Sequence, residues 1–155
     1  MQLFPHRHHV RLTAGADGYA EVATAGAPLL TTAPVPQFDG PGDAWSPEHL
    51  LLASVEASFL LTFRAAARQA HVSFQSLELD ALGTVHRMMG VARFAEIVLR
   101  PTLRIADGVS REVVTQVLSD AARSCIVTAS LSTPVRVEPA VIQAEAPLQL
   151  VTHAA

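Results

Sequence analysis

The chain of 155 residues has little charge and almost no cysteine. Only 16% of its residues are charged, against about 25% in an ordinary soluble domain, and half are apolar. This composition excludes intrinsic disorder. The single cysteine, Cys125, excludes an internal disulfide, and residues 1–10 lack the apolar core of a secretory signal. We therefore expect a cytoplasmic protein.

Lysine and asparagine are absent, and all eleven basic residues are scattered arginines. With a net charge of −3, the chain has no basic patch for nucleic acid or an anionic membrane. The richest apolar stretch, residues 49–63, contains Glu56 and falls short of the roughly 18 uninterrupted apolar residues that a membrane span needs. An apolar surplus without a membrane most often serves a subunit interface, so we expect a homodimer.

Common catalytic and cofactor motifs are also missing, since the chain contains no GxSxG, P-loop, GxGxxG or HExxH sequence. His6, His8 and His9 have no acidic or cysteine ligand beside them, so we expect neither a metal site nor a cofactor.

Residues 1–45 are predicted to form a β-rich arm. Short strands are expected at 9–12 and 19–24 on either side of a turn at 15–18. Four prolines and three glycines between residues 26 and 42 exclude a helix there and predict a loop.

A long helix is predicted to begin at Ser46, with Pro47 in its first position and Glu48 in its first turn, and to reach about Ala70. It is apolar around most of its circumference, which is typical of a buried helix. Small residues spaced by four would let a second helix approach closely, and a second copy of the chain is the simplest candidate. These residues are Ser54, Ser58, Thr62 and Ala66.

The remaining pattern predicts two long strands, an amphipathic helix and a final strand, at 73–88, 91–105, 110–125 and 135–138. Residues 46–155 would then form a helix-strand-strand-helix-strand body. We expect one α+β domain over residues 1–155.

The segment from Ser46 to Phe63, with its Pro-Glu-x-Leu-Leu helix start, resembles the OsmC/Ohr family, the osmotically inducible protein C and organic hydroperoxide resistance proteins. The resemblance runs nearly end to end and includes the turn at 15–18, the strand at 94–97 and the helix end at 121–125. It implies curved antiparallel sheets around a long central helix, in an intertwined homodimer whose sites lie at the subunit interface.

The resemblance also implies the site residues. The family places a peroxidatic cysteine ten residues after the glutamate at the helix start, a resolving cysteine near the end of the last helix, and an activating arginine in the N-terminal turn. Here Glu48 matches the glutamate and Cys125 the resolving cysteine, but the other positions hold Ser58 and Ala16. A hydroxyl cannot form a sulfenic acid, so the usual chemistry is expected to be lost. Other arginines that could serve such a site are Arg11, Arg64 and Arg93.

Three functions remain open at this point. The leading hypothesis is a divergent family member that keeps an apolar interfacial pocket and binds a small apolar molecule near Ser58, Glu48 and Trp45. The first alternative is a hydroperoxide reductase in which Cys125 alone attacks and an external thiol reduces its sulfenic acid. The second is a structural or interaction protein, in which Glu48 merely stabilises a helix and Cys125 is an inert core residue.

Overall fold

The computed structural model describes residues 5–143. They divide into two compact units, the first ending at Leu51 and the second beginning at Leu52. In chain order the strands and helices are β1 (Arg11–Ala14), β2 (Ala20–Ala23), β3 (Leu30–Thr32), α1 (Pro47–Gln69), β4 (Ser76–Met88), β5 (Val91–Ile105), α2 (Arg111–Ser124), α3 (Ile126–Ala129), β6 (Val135–Val137) and β7 (Ala140–Gln143). The α+β class predicted from the sequence is confirmed.

The first unit contains a three-stranded antiparallel sheet in the order β1-β2-β3. The predicted loop at 26–42 is more ordered than expected, because it contains β3 and a 3₁₀ turn at Pro36–Phe38. The chain then doubles back tightly, and a Cβ on Gly40 would lie 1.7 Å from the carbonyl oxygen of Pro34. Only glycine leaves room for that approach.

The start of α1 is held by a reciprocal cap. The hydroxyl of Ser46 accepts a hydrogen bond from the amide of His49 at 3.2 Å, and the amide of Ser46 lies 3.4 Å from His49 Nδ1. Histidine thus takes the place that glutamate or glutamine has in the usual capping box. The amide of Ala33 also donates to the carbonyl of Trp45 at 3.0 Å, so the end of β3 is tied to the residue before the cap.

The second unit is built on the long hairpin of β4 and β5, which pair antiparallel from Ser76 opposite Arg104 to Met88 opposite Val91. The other edge of β5 carries β6 and β7, both of them parallel to it, so this sheet is mixed. Neither β7 nor α3 was expected from the sequence: β7 pairs with a strand far back in the chain, with Ala140 opposite Thr102, and α3 is a single turn.

The apolar core of the second unit lies between α1, α2 and β5. Helix α1 contributes one buried stripe, and its remaining apolar residues are half-buried or exposed, with Leu61 64% exposed. The expectation that α1 is buried all round therefore fails within one chain. By length and composition α1 could cross a membrane, and its buried stripe packs against α2 and β5 in the core of the second unit. The stripe consists of Val55, Phe59, Phe63 and Ala67.

Candidate functional site

Ser58 and Cys125 meet inside the second unit. The Sγ atom of Cys125 lies 3.1 Å from the Oγ atom of Ser58, and the amide of Val127 donates to the same oxygen at 3.5 Å. Ser58 lies in the middle of α1, and Cys125 lies where α2 ends and α3 begins. The packing of α1 against this junction brings together two residues that are 67 positions apart in the sequence.

The surroundings of Cys125 act on its thiol in two opposite directions. Burial raises the pKa of the thiol, but hydrogen bonding with Ser58, with the amide and hydroxyl of Thr128 and with the amide of Val127 lowers it by more. The pKa of Cys125 therefore lies below its ordinary value. Lowering the pKa favours the nucleophilic thiolate, while the complete burial of Cys125 restricts the access of any electrophile.

Glu48 lies in the first unit, in the first turn of α1, where it borders an apolar pocket of about 260 Å³. The pocket is lined by Leu12, Gly18, Ala20, Thr32, Ala33, Pro34, Phe38, Pro47 and Glu48, and we call it the Glu48 pocket. Two of its polar atoms, Thr32 Oγ1 and Glu48 Oε2, are buried and have no hydrogen-bond partner among the residues that the structure describes.

Other residues singled out in the sequence have simpler surroundings. Ala16 lies exposed in the turn between β1 and β2. Trp45 is half-exposed and its ring meets that of His49 edge-on, at 6.4 Å between centroids. Arg64 is exposed, and Arg93 points its guanidinium at the sulfur of Met88, 3.2 Å away. Hydroxyl groups and backbone amides, rather than a guanidinium, therefore lower the pKa of Cys125.

The N-terminal histidines are exposed, and residues 5–143 contain no cluster of three or more histidine, cysteine, aspartate or glutamate side chains that could hold a metal ion.

Sequence reasoning missed Thr32, Val127 and Thr128. The last two lie two and three residues after Cys125, so their closeness in the sequence was a usable signal. Thr32 carried no such signal, because its bridge partner Trp45 lies 13 positions later in the sequence.

Comparison with known proteins agrees with the fold and with the predicted family. The profile of the OsmC-like protein family matches residues 40–140, which is more than half of the chain. The chain belongs to the OsmC-like family.

Individual relatives are distant in sequence. Protein YmaD of Bacillus subtilis is 25% identical over 107 residues, which cover 66% of this chain and 71% of that protein. An OsmC-like protein of unknown function from Vibrio cholerae has a TM-score of 0.79 at 17% identity, covering 87% of this chain and 99% of that one. An organic hydroperoxide resistance protein OsmC from Legionella pneumophila has a TM-score of 0.70 at 19% identity, covering 88% and 96%. Such likenesses establish the OsmC fold.

Proposed function

We propose that this OsmC-like protein binds a small apolar molecule and does not reduce hydroperoxides by the two-cysteine reaction of its family. The observation that supports this proposal is the 3.1 Å contact between the Oγ atom of Ser58 and the Sγ atom of Cys125. A two-thiol reaction needs sulfur on both sides of that contact. An oxygen at Ser58 forms neither a sulfenic acid nor a disulfide, so the reaction has no attacking atom.

The Glu48 pocket supports the binding part of the proposal. Its lining is mostly apolar and its volume of about 260 Å³ is close to the lower end for ligand pockets, which suits a small molecule. The proposed occupants include an organic hydroperoxide that is bound but not reduced. Mass spectrometry of the purified protein under native conditions tests for a bound molecule, and a copurified small molecule is the expected result.

We also propose that the protein is a homodimer and that it acts in the cytoplasm of a bacterium. In the most apolar 18-residue stretch of α1 only 22% of the residues are buried. Leu61 and Ile126 are each more than 60% exposed. Beside them, Thr62, Ala66 and Val117 border a groove of about 500 Å³ between α1 and α2. A second copy that covers these surfaces would bury well over about 2,000 Å² in total. Sedimentation should give a dimer, and a folded monomer of 16.5 kDa at micromolar concentration would contradict it.

The loss of two-cysteine chemistry is tested with tert-butyl hydroperoxide and a dithiol reductant. Wild-type protein should consume hydroperoxide no faster than a free thiol of ordinary pKa, and Cys125→Ser should leave that rate unchanged. Rapid turnover that Cys125→Ser abolishes would overturn the proposal.

That contrary result would support the one-cysteine reductase, the second candidate function, which the lowered pKa of Cys125 favours. In that reaction the Cys125 thiolate attacks the peroxide oxygen, the O–O bond breaks, and the products are an alcohol and a sulfenic acid. Two external thiols then reduce the sulfenic acid, giving water, the Cys125 thiol and an external disulfide. Because Cys125 is fully buried, this candidate also requires rapid alkylation of the native thiol by iodoacetamide. Slow alkylation of the native thiol and fast alkylation in urea would contradict it.

A further inference from the structure

The Glu48 pocket contains two oxygen atoms that can accept a hydrogen bond, one hydroxyl and one carboxylate oxygen, and that have no partner in the described part of the chain. Thr32 is 7% exposed, and its main chain is used by β3 and by the bridge to Trp45, but its Oγ1 atom has no partner. The Oε2 atom of Glu48 is also buried and without a partner. Both residues line the same pocket.

Leaving such atoms without a donor is unfavourable. A buried polar group without a hydrogen bond destabilises the fold, and an unpaired carboxylate oxygen does so more strongly than a hydroxyl. Within the pocket the other lining residues are aliphatic, aromatic or glycine and offer no donor through their side chains. An occupant that brings N–H groups would therefore gain more here than one that brings only apolar surface or further acceptors.

The charge distribution favours a positively charged occupant. Up to Leu51 the sequence has two arginines against five acidic residues, whereas from Leu52 onward arginines and acidic residues are equal in number. The whole net charge of −3 thus belongs to the region that contains the pocket. Such a field attracts cations and repels carboxylates and phosphates.

We infer that the Glu48 pocket binds a small primary or secondary amine with an apolar body, whose N–H groups donate to Glu48 Oε2 and Thr32 Oγ1. This inference rests on the proposed function, because it names the chemical class of the apolar ligand. The apolar body contacts residues such as Leu12 and Phe38. The charged head meets the carboxylate, which binds an ammonium more strongly than it binds a neutral donor.

Three probes of nearly the same shape test the class of ligand: cyclohexylamine, cyclohexanol and cyclohexanecarboxylate. Titration calorimetry at low salt should show that wild-type protein binds the amine about tenfold or more tightly than the alcohol, because a hydrogen bond to a charged group is stronger than one to a neutral group. The carboxylate should bind most weakly of the three.

Substitutions of pocket residues test whether the amine binds in the Glu48 pocket. Glu48→Gln should remove most of the preference for the amine, and Thr32→Val should weaken amine binding by a smaller factor. Glu21→Gln is the matched control, since Glu21 is an exposed acidic residue of β2 that does not line the pocket, and it should bind the amine as wild type does. Melting curves of all three variants establish that each is folded.

The possible results separate this inference from the proposed function. If the amine and the alcohol bind equally tightly, the inference of an amine ligand is wrong, but the proposal that the pocket binds a small apolar molecule is not affected. Equal loss of amine binding in Glu48→Gln and Glu21→Gln means attraction by general charge and also overturns the inference. If no probe binds and Glu48→Gln weakens the dimer, a second copy of the chain supplies the donor, and both proposals fail for this pocket.

Discussion

The two units of this protein bury different kinds of residue. In the second unit the buried side chains are almost entirely apolar and come from α1, α2 and β5. Among residues 5–51 of the first unit the buried ones are Thr32, Ala33 and Ser46, two of which are polar. The second unit is therefore stabilised mainly by the hydrophobic effect, and the first by main-chain hydrogen bonds and the cap of α1. A ligand has more to add in the first unit, whose buried polar atoms are incompletely satisfied.

The largest difference between the units is expected in the stability that is lost when an aromatic side chain is removed from each. Phe63 is fully buried and its ring packs edge-on against Phe74 at 5.2 Å, whereas Phe38 is 57% exposed. Phe63→Ala should lower the free energy of unfolding by about 3–5 kcal/mol. Phe38→Ala should change it by about 0.5 kcal/mol or less. Urea denaturation measures both, and equal effects would mean that the first unit has an apolar core of its own.

The caps of the two long helices offer a smaller contrast. Ser46 is completely buried, while Ser110, whose hydroxyl accepts from the amide of Val113 at 3.4 Å, is exposed. Ser46→Ala should lower the free energy of unfolding by about 1–2 kcal/mol, because the amide of His49 loses its acceptor away from water. Ser110→Ala should lower the free energy of unfolding by less, since water can bind the exposed amide of Val113. A larger effect at Ser110 would contradict this account of the cap.

A substitution at Thr32 is expected to stabilise the protein, in contrast to the substitutions above. Thr32→Val removes the unsatisfied hydroxyl and keeps the branched shape, so it should raise the free energy of unfolding of the ligand-free protein by about 1 kcal/mol. Thr31→Val, at the exposed neighbouring position of β3, is the matched control and should have a smaller effect. Destabilisation by Thr32→Val would mean that the hydroxyl has a hydrogen-bond partner and would contradict this prediction.

The smallest effect concerns Glu56, in the second unit. Burial raises its pKa above 4.5, the charge of Asp80 raises it further, and the amide of Ala81 partly opposes the shift. Since the native state holds this proton more tightly than the unfolded state, the stabilisation is present at low pH and is lost as pH rises through the native pKa. Glu56→Gln should therefore be more stable than wild type at pH 7.

Thermal melting between pH 3 and pH 8 tests this sign. The difference between Glu56→Gln and wild type should shrink as pH falls toward 4.5 and below. The exposed residue Glu78 of β4 supplies the control variant, Glu78→Gln. A difference that grows toward low pH would contradict the assigned cause.

The sequence predicted the second unit better than the first. Its long alternating strands and its caps carry local signals, so β5 and α2 were placed almost to the residue. Strand β7 pairs with β5, with Ala140 opposite Thr102, and local patterns do not encode such distant pairing. Strand β3 and helix α3 are only three and four residues long, too short for a clear periodic pattern. The meeting of Ser58 and Cys125 was expected only through the family resemblance. Periodicity could not reveal it, because the two residues lie on different helices.

We propose that the Ser58–Cys125 contact keeps the geometry of a two-thiol reaction but has oxygen in place of one sulfur. The most direct test treats wild-type protein and Ser58→Cys with an organic hydroperoxide and then counts free thiols. Wild type should retain its one thiol. Ser58→Cys should lose both thiols and two hydrogens of mass, as the hydroperoxide becomes an alcohol and water and an internal disulfide forms. Loss of the wild-type thiol, or two surviving thiols in Ser58→Cys, would contradict the claim.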